Sequence, residues 1–188
     1  MFSSASFARP FDAKTVAYGT AGFRSKAEVL YPFVPYRVGI LAALRSISHH
    51  GKTCGVMITA SHNPPQDNGV KIVEPDGSML VQEWEAHATR LINTEEDELT
   101  KVVQSLVSEL GLDLKQVPKI FCGYDTRDSS VDFSKATIEG VRRFENAVLE
   151  NFELCTTPHI HYLVVADNTR NDKVPYGECS KQGYYRTV

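Results

Sequence analysis

Cys54-Gly-Val-Met-Ile-Thr59, bounded by Lys52 and Ser61, is short and continuously apolar. A run of this kind marks a strand buried on both faces. Lys119-Ile-Phe-Cys-Gly-Tyr124 repeats the pattern, and both runs empty into polar loops, the first containing prolines and the second covering residues 125–130. Around them the spacing is helical. Val34, Val38, Leu41, Leu44 and Ile47 predict an amphipathic helix with Pro35 near its first turn. Trp84, Ala88, Leu91 and Ile92 predict a second. Leu99, Val102, Val103, Leu106 and Leu110 predict a third, with Thr94 as N-cap, acidic residues 95–97 in its first turn and Gly111 at its end. Phe133, Thr137, Val141 and Phe144 share a face of a fourth, capped by Asp132, and Thr157 caps a fifth that begins at Pro158 and turns Ile160, Leu163 and Val164 inward. Residues 70–73 and 79–81 flank Glu74-Pro-Asp-Gly-Ser78, which predicts a hairpin, while 147–149 and 152–155 predict a further strand pair. Residues 168–181 read as a polar loop. Strands alternating with helices, with polar loops beyond the strand ends, describe an α/β layered fold whose ligands collect at the carboxyl ends of the strands.

The chain has 188 residues, enough for one domain or a tight pair. With 42% hydrophobic and 23% charged residues it can bury a sizeable core, which excludes disorder and collagen-like repeats. Twenty basic against 23 acidic side chains give a net charge of −3, so there is no broad basic field for a nucleic acid. Cys54, Cys122, Cys155 and Cys179 lack CxxC spacing and suggest neither a zinc site nor a disulfide framework; Cys54 and Cys122 read as buried thiols. Residues 1–12 lack the apolar core of a signal peptide, and no apolar run approaches membrane-spanning length. A reducing, cytoplasmic setting is the expectation.

Three loops carry candidate chemistry. In Thr59-Ala-Ser-His-Asn-Pro-Pro-Gln-Asp-Asn-Gly-Val-Lys71, a small residue before Ser61 and a forced turn after it would present the hydroxyl at a strand tip, as a nucleophile or a phosphate carrier. His62, Asn63 and backbone N–H groups supply donors, and Asn68-Gly69 predicts a turn with positive φ that returns the chain so that Lys71 faces the same loop. Pattern alone leaves a plain capped turn equally open. Tyr18-Gly-Thr-Ala-Gly-Phe-Arg24 would allow close backbone approach to an anion with Arg24 reaching it, although a tight turn with a solvated arginine is the commoner outcome. In Gly123-Tyr-Asp-Thr-Arg-Asp-Ser-Ser130, Asp125 and Asp128 flank Arg127, which favours an internal ion pair and a helix cap over a metal site. His159 and His161 stand two apart on a helix and share no face, and His49 and His50 read as a solvated helix end. There is no Walker A loop, Rossmann glycine pattern or nucleophile elbow.

Taken in order, these residues resemble the α-D-phosphohexomutase family. Thr-Ala-Ser-His-Asn-Pro at 59–64 followed by Asp-Asn-Gly-Val-Lys at 67–71 is similar to its phosphoserine loop. The segments 18–24, 123–127 and Thr-Thr-Pro-His-Ile-His-Tyr at 156–162 resemble the eukaryotic phosphoacetylglucosamine mutase branch, and together the motifs cover most of the chain from Tyr18 to Tyr185. Several linked motifs in order are far more specific than any one. The chain departs from the pattern in three places. Tyr124 replaces an arginine, Asn151-Phe-Glu153 replaces Asp-Tyr-Gly and so removes the glycine that a left-handed turn favours, and the family's Asp-Gly-Asp-x-Asp-Arg metal loop has no counterpart.

The resemblance implies a three-layer mixed sheet with helices on both faces, of the family's domain 1 type. Residues 1–188 would be the phosphoserine-bearing N-terminal domain of a four-domain isomerase, an intramolecular phosphotransferase, with 1–15 as a flexible lead. Ser61 would be the phosphoserine, giving its phosphoryl group to N-acetylglucosamine 6-phosphate and recovering one from the 1,6-bisphosphate, on the route to UDP-N-acetylglucosamine. Arg24 and Lys71 would be the cations at the phosphate, Lys71 also moving a proton, with His62 and Asn63 shaping the loop. Mg²⁺ would meet this chain only through the phosphate on Ser61, since that ion needs further anionic ligands. Glucose or N-acetylglucosamine 1,6-bisphosphate would be the activator. Expected partners are a phosphorylated amino sugar and the missing downstream domains, not nucleic acid or membrane. The chain alone is expected to be inactive, because turnover needs both phosphates positioned at once. Rival readings are a phosphoglucomutase or phosphomannomutase first domain, and a truncated, non-catalytic paralogue acting as a binding module.

Overall fold

The computed structural model describes residues 2–187. Its centre is one five-stranded sheet in the order β1-β3-β2-β4-β5, from β1 (Phe23–Lys26), β2 (Thr53–Ile58), β3 (Asp67–Val73), β4 (Lys119–Tyr124) and β5 (Val148–Leu154). β1 and β2 flank β3 antiparallel, whereas β2, β4 and β5 run parallel, so the sheet is mixed. All six residues of β2 are buried, as its unbroken apolar run requires.

The pleat divides these residues between two cores. Cys54, Val56, Ile58, Ile120 and Cys122 face the helices α2 (Phe33–Ser48), α3 (Gln82–Asn93), α4 (Leu99–Glu109) and α5 (Ser130–Val141). Met57, Val73 and Phe121 face α6 (Thr157–Asn168). The result is the expected three layers. Short helices α1 (Ala27–Leu30) and α7 (Lys181–Thr187) complete the described chain. No helix among the described residues is long and apolar enough to cross a membrane.

Several local expectations are corrected. Asn68-Gly69 makes no turn and has no positive φ: both residues lie inside β3 and pair with β1. The hairpin across Glu74-Pro-Asp-Gly-Ser78 does not form: the turn is made, with Gly77 N–H donating to Glu74 O at 2.9 Å, but only a single bridge, Val73 to Met79, follows it. β1 covers this edge of β3 only as far as Val70, and beyond it the Ile72 N–H that a hairpin partner would need donates to the Tyr18 hydroxyl at 3.1 Å. Val81 instead caps α3. Thr94 ends α3 rather than starting α4, because its hydroxyl donates back to Arg90 O at 2.8 Å. Ser129, not Asp132, precedes α5, and Asp132 lies in its first turn. The expected strand pair near 147–155 is one strand, β5, with an irregularity opposite residues 122–124. His49 is no free helix end, since its Nε2 meets Glu74 Oε2 at 3.0 Å.

The lead expected to be loose packs against the body. Glu96 takes hydrogen bonds from Ser3 Oγ, Ser4 N and Arg9 N, and its other face pairs with the fully buried Arg37 at 2.8 Å. Phe2 and Phe7 close over the larger core, Phe7 stacking on Tyr36 at 5.0 Å.

Helices α2 and α5 cross with Gly39 and Gly140 in contact, and a Cβ on Gly140 would strike Tyr36 O and lie 3.2 Å from Gly39 Cα. Backbone carbonyls cannot swing aside as a side chain can. Gly140→Ala is therefore expected to destabilise the domain by about 1–3 kcal/mol through overpacking, seen as a lower urea midpoint at unchanged slope; an unchanged midpoint would show that the helices have slack.

Candidate active site

Parallel pairing aligns Ile58 with Tyr124, and the ladder continues with Asp125 N–H donating to Ile58 O at 3.0 Å. The loops after β2 and β4 therefore leave the sheet side by side, and β5 delivers Cys155 and Thr156 beside them, with Cys155 N–H donating to Tyr124 O at 2.9 Å. Three carboxyl strand ends thus build one site.

Ser61 stands exposed at the crest, with a left-handed backbone at φ 54°. That conformation costs an ordinary residue about 1 kcal/mol, so the loop must be held. Its own N–H donates to Thr59 Oγ1 at 2.9 Å, and the Thr59 hydroxyl donates to Asp125 Oδ2 at 2.7 Å. Asn63 closes the turn through its N–H on Ala60 O at 3.1 Å and its side-chain amide on Asp67 Oδ2 at 2.9 Å. Arg127 crosses from the β4 loop. Its Nη1 donates to Pro64 O (2.7 Å) and Asp67 O (2.9 Å), its Nη2 to Ser61 O (2.8 Å) and Asn63 O (3.1 Å), and its Nε to Asp125 Oδ2 (3.0 Å). The ion pair read from the sequence is present. The grip on four carbonyls of the serine loop was not foreseen.

The two expected cations reach the site from the antiparallel side. β1 pairs Arg24 with Gly69, whose missing side chain leaves Arg24 Cβ room to lie over it, and Arg24 Nη1 approaches Asn63 Oδ1 at 3.4 Å. Lys71 pairs with Met57 deeper in the sheet and is 9% exposed. The glycine loop accounts for part of that burial: Gly22 has φ +87°, and a Cβ there would sit 2.7 Å from Lys71 Cβ. Burial, and then the neighbouring positive charge of Arg24, hold the Lys71 ammonium below the ordinary lysine range. His62 is exposed at the crest beside Ser61.

An open groove of about 810 Å³ runs from Ser61 and His62 past Thr126 and Thr156 to His159 and Tyr185. Arg24 and Lys71 do not line this groove, although Lys71 pairs directly with Met57, which does. Its far wall is the start of α6, where Thr156, one residue earlier than expected, is the N-cap: its N–H donates to His159 Nδ1 at 3.1 Å in a capping box. His161 turns elsewhere and meets Gly77 O at 2.6 Å. The turn that lacks its glycine still forms, Glu153 taking φ 55° while its N–H donates to Asn151 Oδ1 at 3.0 Å.

These residues do not make a Mg²⁺ site by themselves. Among the described residues no three His, Cys, Asp or Glu side chains cluster as ligands. Asp125, the carboxylate nearest Ser61 in the network, is engaged on both oxygens by Thr59, Arg127 and Ser130. What the arrangement offers is an exposed hydroxyl on a braced loop, with two cations on the neighbouring strands β1 and β3.

Residues 36–99 and 91–171 match the family described as phosphoglucomutase/phosphomannomutase, alpha/beta/alpha domain I. A phosphoacetylglucosamine mutase of Candida albicans is 46% identical over 181 residues, which is 91% of this chain and 32% of that protein. The chain thus spans about a third of the curated relatives it matches. An Aspergillus fumigatus N-acetylphosphoglucosamine mutase variant in complex with glucose 1,6-bisphosphate is 41% identical and superimposes with TM-score 0.91 over 95% of this chain and 32% of that one. The Aspergillus fumigatus enzyme in complex with GlcNAc-6P and magnesium is 41% identical, with TM-score 0.88 over 94% of this chain and 32% of that one.

Removing the repelling charge in Arg24→Ala is expected to raise the Lys71 pKa, checked by the ¹³Cε shift of Lys71 during a pH titration; no movement would place the two charges out of range. His159 is held below the ordinary value of 6.5 by burial and by Lys181, and protonation would end its acceptance of the Thr156 N–H. The unfolded chain then binds the proton first, so stability falls as pH drops through and below about 6.5. Gln at this position preserves a capping box, so His159→Gln is expected to lose less melting temperature than the unsubstituted chain between pH 7.5 and 5.5; equal losses would assign the acid sensitivity elsewhere.

Proposed function

The chain belongs to the phosphoglucomutase/phosphomannomutase family, and we propose that it is the phosphoserine-bearing first domain of a phosphoacetylglucosamine mutase. The observation that carries this reading is Ser61, exposed and left-handed at the crest of a loop gripped from β4, with Arg24 and Lys71 on the neighbouring strands. Phosphoryl transfer needs positioning and charge neutralisation more than covalent machinery. A phosphoserine carries about −1.5 to −2 charges, which two cations and a metal would balance.

In the proposed cycle the P–Oγ bond of phospho-Ser61 breaks as phosphorus bonds to the 1-hydroxyl oxygen of N-acetylglucosamine 6-phosphate, whose proton leaves to a base while the departing Ser61 Oγ takes up a proton. The 1,6-bisphosphate reorients. Ser61 Oγ then gives up its proton as it takes the 6-phosphoryl group, and the departing sugar oxygen receives a proton, leaving the 1-phosphate. Lys71 is the side chain best suited to move that proton, since burial beside Arg24 favours its neutral form more than in an open lysine. Arg24 would hold phosphate oxygens, and His62 and Asn63 would keep the crest in shape. The phosphate on Ser61 would supply one oxygen to Mg²⁺, with the other ligands in downstream domains. Glucose 1,6-bisphosphate would phosphorylate Ser61 at the outset, in keeping with its presence in a related structure. Free thiols at all four cysteines accord with a reducing, cytoplasmic setting.

The full-length protein with N-acetylglucosamine 6-phosphate, trace glucose 1,6-bisphosphate and Mg²⁺ is expected to yield the 1-phosphate by ³¹P NMR. Ser61→Ala is expected to lower turnover more than about a thousandfold, and the 188-residue chain alone to show none. Faster turnover of glucose or mannose 6-phosphate in competition would reassign the sugar, and turnover that survives Ser61→Ala would refute the mechanism.

A further inference from the structure

We propose that Arg127 is a positioning residue for the chemistry of Ser61: by gripping the serine loop from a different strand it keeps that backbone left-handed and so sets the direction of the hydroxyl. The inference rests on reading Ser61 as the phosphoryl carrier.

The geometry is unusually complete. A guanidinium has five N–H donors in a planar fork, and here each has an acceptor: the carbonyls of Ser61, Asn63, Pro64 and Asp67, and the Asp125 carboxylate. No donor is left to meet a substrate, so Arg127 acts through the loop. The four carbonyls sit within and after the turn that displays Ser61, and a planar group bonded to all of them fixes their relative orientation. Asp125 holds the guanidinium in register through Nε and is itself tied to Ser130 Oγ at 2.8 Å and to the Thr59 hydroxyl. Thr59 Oγ1 accepts the Ser61 N–H. Ser61 is thereby held on both sides, its carbonyl by Arg127 and its N–H through Thr59 and Asp125. The Arg127 side chain is only 9% exposed although the loop it serves is open to solvent.

A merely structural arginine would stabilise the fold as a whole. A positioning one acts on the loop alone and shows in the chemical step more than in substrate affinity. Two variants separate these roles. Arg127→Lys keeps the charge but replaces the fork with a point charge, and Thr59→Val removes the hydroxyl link while leaving Arg127 in place. In the 188-residue chain, hydrogen exchange of residues 60–67 is expected to quicken about tenfold or more in both variants, with amides of β2 and β4 keeping their protection. In the full-length protein, kcat is expected to fall about ten- to a hundredfold while KM for N-acetylglucosamine 6-phosphate stays within about threefold. Unchanged loop exchange in both variants, loss of β2 and β4 protection together with the loop, or an unchanged kcat with a loosened loop would each overturn the proposal. An unsubstituted full-length protein without turnover would instead overturn the functional reading of Ser61, while the exchange result alone still decides whether Arg127 holds the loop.

Discussion

Everything at the candidate site depends on the parallel pairing of β2 with β4. Six residue pairs, Thr53 with Lys119 through Ile58 with Tyr124, fix the register, so the strands end level and their loops emerge in contact. A shift of β4 by one residue would turn Phe121 from the α6 side to the α2 side and carry Asp125 out of reach of Thr59. The apolar runs that make β2 and β4 strands are therefore also what places a carboxylate and a guanidinium against the serine loop.

The two ends of the sheet have different chemistry. At the amino end of β2, Glu74 is buried between Arg45, at 2.9 Å, and His49, at 3.0 Å, with Arg45 also lying over the Trp84 ring at 4.8 Å. A hollow of about 380 Å³ there is lined by this Arg45–Glu74–His49 cluster together with Lys52, Asp76 and Asp172. At the carboxyl end, polarity is only partly satisfied: Ser61 and His62 are exposed, and Arg24 has one long contact. Tight glycines allow this crowding, since Gly22 and Gly69 bring backbone against backbone where any side chain would separate Arg24 and Lys71 from the loop.

Much of this was legible in the residues. β4 spans the run that announced it, β2 lies within a residue of its run, and α2 follows its apolar spacing. The serine loop was visible because a small residue, a hydroxyl and a proline must form a turn whatever surrounds them. What escaped reading depended on distant partners. Arg127 bonds carbonyls 60 to 66 residues away, and no local pattern announces such a grip. The false hairpin at residues 70–81 had correct turn chemistry, but the distant Tyr18 hydroxyl takes the Ile72 N–H that a partner strand would need. Thr94 looked like a cap because acidic residues follow it, yet Glu96 is drawn to Arg37 and the lead. Asn151 replaced a missing glycine by accepting a hydrogen bond from the next turn, which composition alone does not disclose.

The account turns on Ser61 being a carrier rather than a polar residue in a tight turn. The most direct measurement is peptide mass mapping of the full-length protein after incubation with glucose 1,6-bisphosphate and Mg²⁺, before and after addition of excess N-acetylglucosamine 6-phosphate. The account predicts one phosphoryl group on the peptide containing Ser61, lost or exchanged when the sugar phosphate is added. A bare Ser61 throughout, or a phosphate on another residue that turns over in its place, would contradict it.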